Sequence, residues 1–235
     1  MNSSFLSIVI PLAKGETQWV RLCEDFNVLP RNTEIILAVV EGEDITEPVR
    51  QFEVDFPHLK WVVLSSAQGR GVQMNKGARL AQGEYIWFLH ADSRITRHNV
   101  YALLSCLNSK RTLATLFYFD LYFHDKRSKL LYINEIGAKF RSDVLGIPFG
   151  DQGFFLSKEN FHDLGGYVED APYGEDHLLI WQAKRKAMSV RRCPSKLATS
   201  ARKYERFGWQ SLTLKYQYLW PKQAFPELIK LIQGK

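Results

Sequence analysis

The sequence predicts an α/β fold in which a mostly parallel central sheet is flanked by helices. Two observations in its first half predict it: four near-continuous apolar runs of strand length, and helix-length segments placed between them. Unbroken apolar runs are the mark of strands covered on both faces, as in a parallel sheet. Strand and helix alternate four times, which is a doubly wound pattern. Ligands of such sheets bind beyond the carboxyl ends of the strands.

The runs are Phe5 to Ile10, Glu34 to Val40, Lys60 to Leu64 and Tyr85 to Leu89. The segments between them, about Glu16 to Phe26, Thr46 to Phe56 and Val72 to Ala81, have helix length, and Gly83 is placed to stop the third helix. The second half is less regular. A helix from about His98 to Asn108 precedes a β-rich run, Thr112 to Phe123, and a further helix is expected from about Lys129 to Phe140. The loop LGIPFGDQG then leads into a short strand, FFLS. From Phe207 onward, aromatic residues alternate with lysines, and packing against the core is the expected role of those rings rather than an interfacial patch.

At 235 residues and 46% hydrophobic content, the chain has the size of one domain, 1–235. The first apolar run stops at Pro11, far short of the ~20 residues that span a bilayer, and it has no basic leader. Cys23, Cys106 and Cys193 are odd in number and widely spaced, which argues against a disulfide framework and a thiolate metal site. A cytoplasmic location is the expectation, peripheral at the inner face of the membrane in one version. The net charge of +6 is concentrated between Lys184 and Arg206, where Glu205 is the only acid, and suits an anionic partner.

Three segments carry candidate chemistry. At the end of the fourth strand, His90, Ala91, Asp92, Ser93 and Arg94 follow a buried run directly. A carboxylate there can share Mg²⁺ or Mn²⁺ with a diphosphate, because hard cations take oxygen ligands and leave positions for phosphates. It can equally cap the next helix. Gly69, Arg70 and Gly71 open a helix, a setting in which backbone N–H groups and a guanidinium can hold an anion. Their spacing matches neither the dinucleotide fingerprint nor the P-loop. Glu175 and Asp176 begin an amphipathic helix, as capping acids or as a general base for an acceptor hydroxyl. Asp151 and Gln152, in FGDQG, suit hydroxyl recognition and also suit an ordinary turn.

Together, GRGVQMNKGA, LHADSR, FGDQGFFLSKENFHDLGGY, GEDHLL and TSARKYE resemble the inverting family 2 glycosyltransferases of GT-A fold. The likeness is greatest to the small bacterial subgroup known as selenodomain-associated transferase 2, and it spans about Gln68 to Glu205. The resemblance implies a Rossmann-like GT-A fold, with a nucleotide-sugar-binding half at 1–110, an acceptor and catalytic half at 111–206 and a C-terminal segment at 207–235. It implies that Asp92 and His90 stand at the metal motif, that Asp176 is the catalytic base with Glu175 beside it, and that Arg70 and Asn75 face the donor. Arg202, Lys203 and Tyr204 fall in the basic motif near the diphosphate, and Glu41 stands where the family has an acid after the second strand. His90 replaces an acid, and PLAKGE at the end of the first strand lacks the family's Asn-Glu pair.

The implied function is transfer of a sugar from a nucleoside-diphosphate sugar to a hydroxyl acceptor, lipid-linked in one version, with a divalent metal. Two alternatives stand beside it: nucleotidyl transfer on a related scaffold, and a catalytically weak protein that binds nucleotides or an anionic surface. Nucleic acid is not an expected partner, because no strand interleaves aromatic and basic residues for base stacking.

Overall fold

A computed structural model describes residues 5–109, 114–125 and 128–234. Among the described residues seven strands form one sheet in the order β3-β2-β1-β4-β6-β5-β7. They are β1 (Leu6–Leu12), β2 (Glu34–Val40), β3 (Lys60–Ser66), β4 (Tyr85–Phe88), β5 (Thr115–Phe123), β6 (Phe155–Ser157) and β7 (Ser189–Thr199). Pairing is parallel from β3 through β2 and β1 to β4, and again between β5 and β7. β6 runs antiparallel to both of its neighbours and joins the two parallel blocks. The four apolar runs become β1 to β4, and FFLS becomes β6. The expected strand start at Thr112 lies outside the described residues.

The period of two along each strand divides the core between the two faces. Ile8, Ile10, Ile35, Leu37 and Trp87 pack on one side with Trp19 and Leu22 of α1 (Gln18–Glu24), Val49 and Phe52 of α2 (Thr46–Asp55), and Leu103 of α4 (Arg97–Leu107). Val9, Ile36, Ala38 and Phe88 pack on the other with Met74 and Ala78 of α3 (Arg70–Leu80), Phe161 of α6 (Lys158–Leu164) and Leu179 of α7 (Glu175–Arg185). At Gly77 a Cβ would lie 2.5 Å from Val9 Cγ1, so glycine there sets how closely α3 approaches the sheet.

Gly83 does not act as the helix stop expected of it. α3 ends at Leu80, and Gly83 instead lies against β1, where a Cβ would sit 2.6 Å from the Ser7 backbone nitrogen. The basic stretch, clustered in the sequence between Lys184 and Arg206, is spread over several elements in the structure. Much of it is β7, with a register shift opposite Tyr118 and Asp120 in the region of Pro194, which cannot donate to a ladder. Its cations disperse: Arg192 pairs with Asp120, Arg185 with Glu227, and Lys184 donates to the Leu145 carbonyl.

α5 (Leu131–Val144) extends one turn beyond its expected end. After the short α8 (Arg202–Phe207), the C-terminal segment is a helix of 24 residues, α9 (Trp209–Ile232), with Pro221 and Pro226 inside it. Trp209 and Trp220 are partly buried and pack as expected, against the Phe123, Leu131 and Ala201 cluster and the Ile147, Trp181 and Ala224 cluster, whereas Phe207, Tyr216, Tyr218 and Phe225 are exposed and do not. Among the described residues no helix is long and apolar enough to cross a membrane.

Candidate active site

Beyond the carboxyl end of β4 lies a cavity of about 710 Å³, walled by α5 and α9 and floored by residues from the strand ends and from the starts of α3 and α7. Arg70, His90, Asp92, Asp151, Asp176, Lys203 and Tyr204 all line it. The three motif segments, separated in the sequence, meet here because the parallel strands point their carboxyl ends one way.

Asp176 is held most firmly. Gly150 N–H donates to its Oδ2 and His177 N–H to its Oδ1 at 2.9 Å. Burial alone would raise its pKa, but Arg70, the Gly150 N–H and His90 outweigh burial and lower it. Gly150 lets the carboxyl and imidazole groups approach closely: a Cβ there would lie 3.0 Å from Asp176 Oδ2 and 3.2 Å from His90 Nε2, and its neighbours would have to give way. Glu175 turns from the cavity and pairs with Arg70 at 2.6 Å, fixing the guanidinium at the start of α3. Burial and then the neighbouring Asp176 raise the Glu175 carboxyl, against the pull of Arg70.

Asp151 has the opposite environment. Its Oδ1 is buried without a hydrogen-bond partner, and withdrawal from water pushes its pKa up to about 6 despite Arg141. Asp92 lies 3.7 Å from Arg202, which also makes a bidentate pair with Glu16 just after β1. His90 is shifted well below its ordinary pKa by burial and then by Arg70 and Lys203, so the imidazole is neutral at pH 7.

Two expected residues are spent on structure. Asn75 is buried on α3; its amide donates to the Tyr167 carbonyl and to Glu169, and its oxygen accepts from Tyr167 N–H. Gln152 is wholly buried, donates to the Phe119 carbonyl and accepts from Ser142 and the Phe149 N–H. Neither lines the cavity. Glu41 is exposed at the end of β2, outside the cavity wall. The neighbouring Glu43 accepts from Gly15 N–H, which brings the loops after β1 and β2 together beside the site.

The structure adds residues that sequence reasoning missed. Glu16 positions Arg202, Arg141 lies 3.5 Å over the Phe149 ring, and Tyr216 and Trp220 of α9 close one wall. The Gln223 amide oxygen of α9 accepts from His177 Nδ1 at 2.8 Å and its nitrogen donates to the Tyr173 carbonyl, tying α9 to the start of α7. No spacing in the sequence announces these contacts.

For a divalent cation of the kind the fold implies, Asp92 would offer a carboxylate oxygen and His90 a neutral imidazole, and both line one cavity. No cluster of three or more His, Cys, Asp or Glu side chains suited to a metal occurs among the described residues. A cation that keeps several positions for phosphate oxygens needs only one or two protein ligands.

Comparison with known proteins agrees with this architecture. The mannosyltransferase PcManGT from Pyrobaculum calidifontis, solved with GDP-Man and Mn²⁺, superposes with a TM-score of 0.72 at 13% identity, over 100% of this chain and 69% of that one. S. aureus TarS 1-349 gives 0.65 at 14% identity, over 83% of this chain and 60% of that one, so this chain spans about three fifths of its length. GalNAc-T7 with UDP, GalNAc and Mn²⁺ gives 0.61 at 14% identity, over 85% and 44%. At such identities these likenesses show the GT-A fold alone. No curated protein sequence matches the chain. The family model of glycosyl transferase family 2 matches residues 20–165, more than half of the chain, and the chain belongs to that family.

Proposed function

We propose that the protein transfers a sugar from a nucleoside-diphosphate sugar to an acceptor hydroxyl, with inversion at the anomeric carbon. The observation that carries this reading is the meeting of Arg70, Asp92 and a buried, hydrogen-bonded Asp176 in one cavity beyond β4. The motifs that resemble the selenodomain-associated subgroup supply several of these residues, and membership of that subgroup is part of the proposal. Neighbouring structures contain GDP-Man or UDP-GlcNAc, which supports a nucleotide sugar as donor.

Asp92 and His90 would hold Mg²⁺ or Mn²⁺, whose chemistry is to neutralise the diphosphate as it leaves. Arg202 and Lys203 add positive charge on the same side, and Arg202 is pre-oriented by Glu16. Charges fixed before the reaction stabilise a leaving group without reorganising during it. Asp176 accepts the proton of the acceptor hydroxyl while that oxygen attacks the anomeric carbon and the bond to the diphosphate breaks. Two N–H donors hold its carboxylate in one orientation, a condition for proton transfer at hydrogen-bond distance. Asp151, at the cavity floor, hydrogen-bonds the acceptor and can receive the proton in turn.

The test is donor turnover with product identification. Asp92→Asn and Asp176→Asn should each reduce release of nucleoside diphosphate by about 100-fold or more, the scale of losing a general base or an electrostatic stabiliser. Full activity in both variants would remove these assignments, and release of pyrophosphate would replace glycosyl transfer by nucleotidyl transfer.

A further inference from the structure

Most of the large hydrophobic side chains that lie exposed among the described residues fall in two stretches, 130–145 and 207–232. On α5 they form a stripe, with Ile136, Phe140 and Val144 at 58–69% exposure and a spacing of four residues. On α9, Leu214, Tyr218 and Phe225 repeat at four and seven residues, with exposures of 66–71%. Both spacings keep side chains on one face of a helix.

The two faces belong to one surface. Asn134 of α5 lies beside Thr213 near the start of α9, and Ile147, just past α5, packs in a cluster with Trp220 and Ala224. The helices therefore run side by side in the same direction. At 100° per residue, the α5 stripe is centred about a third of a turn to one side of Asn134, and the α9 stripe about a third of a turn to the opposite side of Thr213. For two parallel neighbours, those opposite rotations bring both stripes to the same side. Ile133 joins this surface to the cavity, because it is 54% exposed and also lines the cavity wall.

Charge indicates what covers the surface. The acids of the two helices are engaged: Glu135 accepts from Phe123 N–H, Asp143 pairs with Lys139, and the buried Glu227 pairs with Arg185 and Lys230. Lys215 and Lys222 are exposed and make no ion pair among the described residues, and Lys222 lies over the Tyr218 ring beside the stripe. Exposed aromatic and aliphatic side chains bordered by unpaired lysines, in a chain of net charge +6, complement an anionic lipid surface.

We infer that the outer faces of α5 and α9 dock on an anionic bilayer, with the cavity opening beside the lipid so that the acceptor hydroxyl is presented from the membrane. The acceptor clause rests on the glycosyl-transfer reading, whereas the docking surface does not. The apolar side chains would enter the interface and the lysines meet the lipid phosphates. An acceptor carried by the membrane would then reach Asp176 past Ile133 without crossing water.

Flotation of the full chain with vesicles tests this, using phosphatidylglycerol mixed with phosphatidylcholine against phosphatidylcholine alone. The protein should float with the anionic vesicles only, and less at high salt. A Phe140→Asp, Phe225→Asp variant should lose about tenfold or more in partitioning, and Lys222→Glu, a surface change that spares the fold, a few-fold. Both should keep the wild-type melting shift with nucleotide sugars. Absence of flotation, equal flotation of wild type and variants, or a concentration-dependent dimer that these variants dissolve without any vesicle binding would overturn the inference. Vesicle binding that survives while no nucleotide sugar is bound would instead remove the glycosyl-transfer reading.

Discussion

Asp151 and Asp176 are both carboxylates on the same cavity, and their surroundings drive them apart. Asp176 has two N–H donors and Arg70 nearby; Asp151 has an oxygen with no donor and a pKa pushed up to about 6. The consequence for stability has a definite sign. Folding strengthens proton binding at Asp151, so stability contributed by the protonated form is lost as pH rises from about 4 to about 6, and the cost is complete above that. Asp151→Asn should therefore raise the stability at pH 7.5 by about 1–3 kcal/mol and flatten its pH dependence in that window, while transfer activity falls. Denaturant unfolding at pH 4.5 and 7.5 checks this; equal destabilisation at both pH values would show that Asp151 is an ordinary structural carboxylate. The sequence made Asp151 and Asp176 visible as acids in loops and at a helix start. It did not distinguish their environments, because those depend on folded contacts, Gly150 N–H against Asp176 and the burial of Asp151 beside Arg141.

At the scale of elements, α3 links the cavity to the turn after α6. Arg70 at its first residue faces the cavity, while Asn75 uses its whole amide to pin the turn at Gly166 and Tyr167 that follows α6. Gly166 has φ of +74° and would place a Cβ 2.7 Å from Asn75 Oδ1, so the turn and the amide fit only together. Asn75→Ala should cost about 2–4 kcal/mol in urea unfolding, since it leaves buried Tyr167 backbone groups without partners, yet should alter donor affinity little. A large loss of donor affinity with unchanged stability would return Asn75 to the donor site. β1, β2 and β4 were legible because strands buried on both faces need unbroken apolar runs, and β3, a half-exposed edge strand, by the apolar run Trp61 to Leu64 alone. β7 was hidden by its arginines and lysines, which emerge at an exposed sheet edge, and α9 by Pro221 and Pro226, which normally argue against a helix interior. Cys106 and Cys193 likewise lie far apart in sequence but bring their sulfurs to 3.4 Å across α4 and β7, both as free thiols.

For the whole molecule, the topology joins what the sequence separates. The parallel strands direct residues of α3, β4 and α7 to one end of the sheet, and α5 and α9 build the walls above them. The net charge of +6 does not describe this site, since many cations are consumed in pairs such as Arg185 with Glu227 and Arg192 with Asp120. The local cations are Arg70 and Lys203 on the cavity wall and Arg202 3.7 Å from Asp92. The most direct measurement is a thermal-shift titration of wild type and Asp92→Asn with uridine, guanosine, thymidine and cytidine diphosphate sugars, each with and without Mn²⁺. At 100 times the dissociation constant a ligand adds about 2.7 kcal/mol, a shift of several degrees. The account predicts stabilisation by one nucleotide series that depends on Mn²⁺ and is lost in Asp92→Asn; no stabilisation by any of them, or an equal shift in the variant, would contradict it.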